Sequence, residues 1–174
     1  MSQQTENMMK KISLNKVVLN MGIGQSGERI ETAKAALMQI TEGEVANSRH
    51  AKKAQRDWGV RKGEPIGVAV TVRGENAILL LKKLLEAKDN MIKEKSFDNE
   101  GNFSFGISEH IDIPGVKYDH KIGILGLDAA ISLMRPGFSI KLRSKHKAKI
   151  GKGHRITKQN AIQFMIKEFG VKTV

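Results

Sequence analysis

Apolar residues recur along this chain with two different periods, and the switches between those periods predict its elements. Over Lys16 to Gly24, Val17, Leu19, Met21 and Ile23 fall on one side and Lys16, Val18, Asn20 and Gly22 on the other. That is the period of two required of a strand with one buried face, so Asn20 points away from the core. From about Glu28 to Thr41 the period lengthens, and Ile30, Ala33, Leu37 and Ile40 share one face of a helix that packs on a sheet and that Gly43 stops. Residues 44–48 suit a short strand. Ile66, Val68, Val70 and Val72 then alternate with Gly67, Ala69, Thr71 and Arg73, a second long strand whose Thr71 and Arg73 also point off the core. Gly74-Glu75-Asn76 opens a second helix with Ala77, Ile78, Leu80, Leu81, Leu84 and Leu85 on its core face.

In the second half, Asn99-Glu100-Gly101-Asn102 reads as a turn, and Phe103, Phe105 and Ile107 alternate with Ser104, Gly106 and Ser108. Residues 111–119 form a loop that turns at Pro114-Gly115, and residues 126–134 form an apolar strand. After Arg135-Pro136-Gly137 the chain reads as extended, with Phe138, Ile140 and Leu142 inward and Lys141 and Arg143 outward. Residues 144–155 are too basic and glycine-rich to pack alone, so they are expected to stay mobile until phosphates neutralise them. Thr157 caps a last helix with Ile162, Met165, Ile166 and Phe169 inward, ended by Gly170. Residues 1–11 are expected to fray.

Composition narrows what such a domain meets. Residues 1–174 suit one domain, able to bury roughly two-thirds of its unfolded surface without staples. The chain has no cysteine, which removes disulfides, thiolate zinc sites and cysteine nucleophiles together and fits a reducing compartment. No apolar run approaches the roughly 18 residues of a membrane span, and the N-terminus lacks an apolar leader core, so a cytoplasmic protein is expected. Thirty Lys and Arg against eighteen Asp and Glu give a formal charge of +12, which calls for a polyanion, nucleic acid before an anionic membrane. The signs are also segregated. Residues 129–167 hold no acid, and Arg49, Lys52, Lys53, Arg56, Arg61 and Lys62 face a single acid, Asp57, beside the sole tryptophan, Trp58. The basic segments, residues 49–63 and 144–156, are poor core and good anion-binding surface.

Candidate chemistry is sparse. Gly22-Ile23-Gly24-Gln25-Ser26-Gly27 satisfies G-x-G-x-x-G between a strand and a helix, with Glu42 and Glu44 about 20 residues on. It reads either as a nucleotide-binding enzyme's phosphate turn or as a tight strand-to-helix turn; the basic loop after the next strand favours the turn. Ser26 lacks a nucleophile frame. His50, His110, His120, His146 and His154 have no ligand spacing and are expected to be solvated or to contact phosphate. Glu109-His110 with Asp112 is the one acid–base grouping, read as a loop hydrogen bond. Neither catalytic residue, metal nor cofactor is expected. The Asn20 amide suits a base edge or a sugar hydroxyl, and equally the capping of a nearby turn.

VVLNMGIG, RKGEPIGVAVTVRG, KSFDNEGNFSFGISEHIDIPGVKYD and GILGLD, in that order over nearly the whole chain, resemble the universal "L-five" family of large-subunit ribosomal proteins in its archaeal form. The resemblance implies an α+β fold, an antiparallel-rich sheet with helices packed on one face and a long basic loop projecting from it. It also implies a structural, non-enzymatic protein that binds 5S rRNA in the central protuberance, with large-subunit rRNA and neighbouring large-subunit proteins around it. Asn20, Trp58, Thr71 and Arg73 match positions where the family meets 5S rRNA. Arg49, Lys52, Lys53, Arg56, Arg61 and Lys62 lie in the loop that reaches the elbow of the peptidyl-site tRNA. Residues 111–123 resemble the part that faces a small-subunit protein across the intersubunit bridge.

Overall fold

A computed structural model describes residues 7–120 and 122–174. In chain order its elements are β1 (Ser13–Gly22), α1 (Glu28–Ile40), β2 (Asn47–His50), β3 (Pro65–Val72), α2 (Gly74–Glu86), β4 (Met91–Ile92), β5 (Phe103–Ile107), β6 (Leu127–Met134), α3 (Ser139–Leu142), α4 (Lys158–Phe169) and β7 (Lys172–Thr173). Five strands make one sheet in the order β2-β3-β1-β6-β5, every neighbour antiparallel, so the fold is α+β. A separate parallel pair, β4 with β7, ties the C-terminus beside the end of α2, and no two-residue strand of this kind leaves a readable pattern.

Alternation in the sequence becomes rows across the sheet. On the core face one row runs Val72–Val17–Ile131–Phe103 and the next Val70–Leu19–Ala129–Phe105. All eight residues are buried, and α1 and α2 pack on β3 and β1 respectively. α1 contributes Ile30, Ala33, Leu37 and Ile40, and α2 contributes Ala77, Leu80, Leu81, Leu84 and Leu85. Each large apolar side chain so buried stabilises the fold by roughly 1.5–3 kcal/mol. α4 joins the same core through Ala161 and Met165; its cap is as the sequence predicts, with Thr157 Oγ1 accepting from the Asn160 N–H and Gly170 left-handed.

Three expectations need correction. Ile78 is 39 % exposed, because it lies at the margin of the face defined by the buried positions 77, 80, 81, 84 and 85, about 100° round from Ala77. Ile166 is 47 % exposed for the same reason, one residue past Met165. Residues 138–143 are not extended: α3 is helical, Ile140 and Leu142 are exposed, and both edges of β6 are taken by β1 and β5, so a further strand has no partner there. Of the stretch expected to fray, residues 8–10 form a 3-10 turn capped by the Asn7 side chain, and residues 1–6 lie outside the described residues.

Register fixes the two ends of the sheet. β3 begins, β1 ends and β6 begins at one end, where residues 51–64 and 108–126 emerge. At the other end, eight residues or roughly 26 Å away along β3, lie Arg73, the start of β1 and the basic tail that follows β6.

Candidate nucleic-acid interface

The face of the sheet opposite the helices is built from small and polar side chains. Its rows run Arg49–Gly67–Gly22, then Asn47–Ala69–Asn20–Asp128–Gly106, then Thr71–Val18–Ala130–Ser104, then Lys16–Ser132. Gly22, Gly106 and Ala130 are exposed and leave the backbone open to close approach, whereas Gly67 and Ala69 are buried. At Gly67 a Cβ would lie 2.9 Å from the Met21 carbonyl oxygen, so that pair of strands accepts nothing larger. Asn20 and Thr71 sit diagonally on adjacent strands, with Thr71 exposed and Asn20 half-buried between Ala69 and Asp128. Parity alone finds Asn20 and Thr71. Parity also places Lys16 beside them, whereas Asn47, Asp128 and Ser132 become members of this face only through register, which no single strand's pattern carries.

Residues 51–64 form a ladder that narrows outward. Ala51 donates to the Glu64 carbonyl and accepts from the Gly63 N–H, both at 2.8 Å, and Gln55 and Val60 pair further out. Residues 56–58 make a 3-10 turn that left-handed Gly59 closes. Arg49, Lys52, Lys53, Arg56, Arg61 and Lys62 are all exposed, and none forms an ion pair among the described residues. Trp58 is 78 % exposed at the tip, so it does not anchor the loop base. Trp58 and Arg73, which the sequence groups together, stand at opposite ends of the sheet.

The glycine turn serves this loop. The N–H groups of Ile23 and Gly24 donate to the Ile66 carbonyl at 3.0 and 2.8 Å, and the Ser26 hydroxyl donates to the Glu64 carboxylate. A pyrophosphate would need those N–H groups free. Glu64 also accepts from the Arg61 N–H at 2.8 Å; that bond, with the Ser26 hydroxyl next, holds its carboxyl below the usual carboxylate range. Glu42, one of the acids at ribose-binding distance in sequence, is instead held by Lys83, whose hydrogen bond lowers its pKa.

The basic tail is tied down more than its composition suggests. Arg135 Nη1 donates to the carbonyls of His154 and Arg155 at 3.4 and 3.3 Å, Arg155 Nε to that of Ile150, and Arg143 Nε to that of His146. Ile156 is buried against Gly101, where a Cβ would overlap Ile156 Cγ2.

His110 departs from the expectation for the histidines: it is fully buried, with Nδ1 accepting from the Leu125 N–H at 3.3 Å and its backbone N–H donating to the Leu125 carbonyl at 3.0 Å. Its flanking Ile111 and Ile113 are the available signal. Glu109 and Asp112 are exposed, so they do not meet that ring as an acid–base pair in solvent. Among the described residues no three His, Asp or Glu gather as a metal site, and no helix is long and apolar enough to cross a membrane.

Residues 7–61 match the family described as "Ribosomal protein L5", and residues 65–164 match the C-terminus of the same ribosomal family. The chain is 64 % identical over 171 residues to the large ribosomal subunit protein uL5 of Nitrosopumilus maritimus, covering 98 % of each. It is 47 % identical over 164 residues to that of Pyrobaculum aerophilum, covering 94 % of this chain and 91 % of the relative. Over 160 residues it is 46 % identical to that of Archaeoglobus fulgidus, covering 92 % and 89 %.

Proposed function

The chain belongs to the ribosomal protein L5 family, hence is a structural constituent of the large ribosomal subunit and not an enzyme, and from that premise we propose that it clamps 5S rRNA on the off-core face of its sheet. Its place is the ribosome in the cytoplasm, among rRNA and neighbouring ribosomal proteins. The observation that carries the reading is the set of exposed small residues, Gly22, Ala130 and Gly106, beside Asn20 and Thr71 on that face, with basic segments at both ends of the sheet. The Asn20 amide and Thr71 hydroxyl meet ribose 2′-hydroxyls or base edges, Arg73 meets a phosphate, and Trp58 supplies a stacking face. Lysines and arginines supply affinity by releasing counterions.

The loop cations Arg49, Lys52, Lys53, Arg56, Arg61 and Lys62 reach the elbow of the peptidyl-site tRNA, and residues 111–123 face a small-subunit protein across the intersubunit bridge. Both segments leaving the same end of the sheet supports that pairing of roles.

Binding of 5S rRNA at two salt concentrations, with tRNA as competitor, tests the clamp. Log K should fall by about 0.7–0.9 per unit of log salt for each phosphate neutralised. Asn20→Ala and Thr71→Ala should each weaken binding about fivefold, one net hydrogen bond of roughly 1 kcal/mol. Equal competition by tRNA, with both variants unchanged, would overturn the reading.

A further inference from the structure

At the end of the sheet opposite the basic loop, a cleft of roughly 760 Å³ opens between α3 and the tail, a size typical of small-ligand sites of about 300–1,000 Å³. Its apolar lining includes Leu133, Phe138, Leu142, Ile150 and Ile156, and Leu142 is 65 % exposed although it faces this space. Cations rim it: Arg135, Lys147, Lys149 and Arg155. The acid in the lining, Glu100, is already held by Lys141 at 2.9 Å. The wall is preformed, because Arg135 and Arg155 bind its carbonyls and the Ala148 N–H donates to the Ile140 carbonyl at 3.3 Å. Arg135 Nε is buried with no acceptor among the described residues, and its guanidinium is turned to the wall rather than to solvent.

We propose that this cleft receives one unstacked base of single-stranded RNA, a contact separate from the sheet face and one that rests on the RNA-binding reading above. A base fits the combination: its π faces suit the apolar lining and the Phe138 ring, while its flanking sugar–phosphate chain suits the cationic rim. The flanking phosphates fall on Lys147 and Lys149. A membrane headgroup would not need an apolar slot of this depth. An apolar peptide would leave the cations of a span without a single acid, residues 129–167, unneutralised.

The test is methyl NMR on the full chain, titrated with an adenylate RNA decamer and with a decamer of the same length that is abasic throughout. The Leu133, Leu142 and Ile150 methyls should shift with the first and not the second. Leu142→Ser should weaken the adenylate decamer about tenfold, within what loss of one base contact gives, and leave the core-strand methyls in place. Equal shifts with both decamers, or silent methyls, would overturn the proposal, as would shifts produced only by an acidic Leu/Glu decapeptide. If Asn20→Ala lowers 5S rRNA affinity while the cleft methyls stay silent, the cleft alone is wrong. If the methyls respond to the bases while 5S rRNA is not bound specifically, the sheet reading falls and the cleft stands.

Discussion

The two basic segments, residues 49–63 and 144–156, are alike in being rich in lysine, arginine and glycine and have opposite architectures. The first sends no large apolar side chain into the core: Ala51 is buried at its base, and beyond it the loop is held by backbone pairs and by one carboxylate, Glu64. Everything chemical on it points outward. The second is keyed into the core by Ile156 on Gly101 and laced by guanidinium groups to its own carbonyls, so that it walls a cleft. Charge therefore says that a segment meets a polyanion, and the placement of a few apolar or acidic residues decides whether it does so as a finger or as a pocket.

Removing the keys should damage the tail and spare the loop. Ile156→Ala is expected to cost about 2–5 kcal/mol, the range for large-to-small core changes, measured by urea denaturation. Trp58→Ala, at the exposed loop tip, should stay within about 0.5 kcal/mol. Next in size is a matched pair of glycines. Gly101 has φ +80° and meets Ile156, whereas Gly63 has φ +84° with nothing within 4 Å. Alanine at either position carries left-handed strain of about 1–2 kcal/mol. Only at Gly101 does overpacking add roughly 1–3 kcal/mol more. In the Ile156→Ala background that added cost should fall, since the overlap with Cγ2 is gone and the 3.0 Å contact with Cβ stays, a coupling that a double-mutant cycle reads directly. Equal costs at Gly63 and Gly101 would erase the distinction between the segments.

Much of the fold is legible because alternation and helical spacing are local. Val17, Leu19 and Met21, or Ile30, Ala33, Leu37 and Ile40, announce their faces without help from other elements. Short apolar runs are less decisive. Phe138, Ile140 and Leu142 fit a strand by period, and what denies them a hairpin with β6 is the occupancy of both its edges, a fact about residues 13–22 and 103–107. Ile78 and Ile166 show the same limit: apolar identity does not say which side of a helix is covered. At the interface, parity finds Asn20 and Thr71, but the exposed glycines and alanine beside them come from three strands in register. His110 escapes a sequence reading because a loop histidine with isoleucine neighbours is buried by a segment, residues 122–125, that its own surroundings in the sequence do not reveal.

The smallest expected effect is the sharpest discriminator between the two segments, because only one of them is held by a carboxylate. Glu64 has its pKa lowered by the Arg61 N–H first and the Ser26 hydroxyl second. A folded-state pKa below the unfolded value means that its contribution is present at neutral pH and is lost as pH falls through the acid side of the carboxylate range. The Arg61 amide nitrogen shift, followed by NMR, should then titrate with a midpoint below that of an ordinary glutamate, and Glu64→Gln should abolish the titration. Because the group is exposed, the global unfolding midpoint should barely respond. The Arg135 contacts to the His154 and Arg155 carbonyls involve no carboxylate, so Glu64→Gln should leave those tail signals unchanged while it alters the loop base. An Arg61 shift that titrates at the ordinary glutamate midpoint would mean that the loop is not clamped through Glu64. The glycine turn carrying Ser26 would then have no part in positioning the six cations.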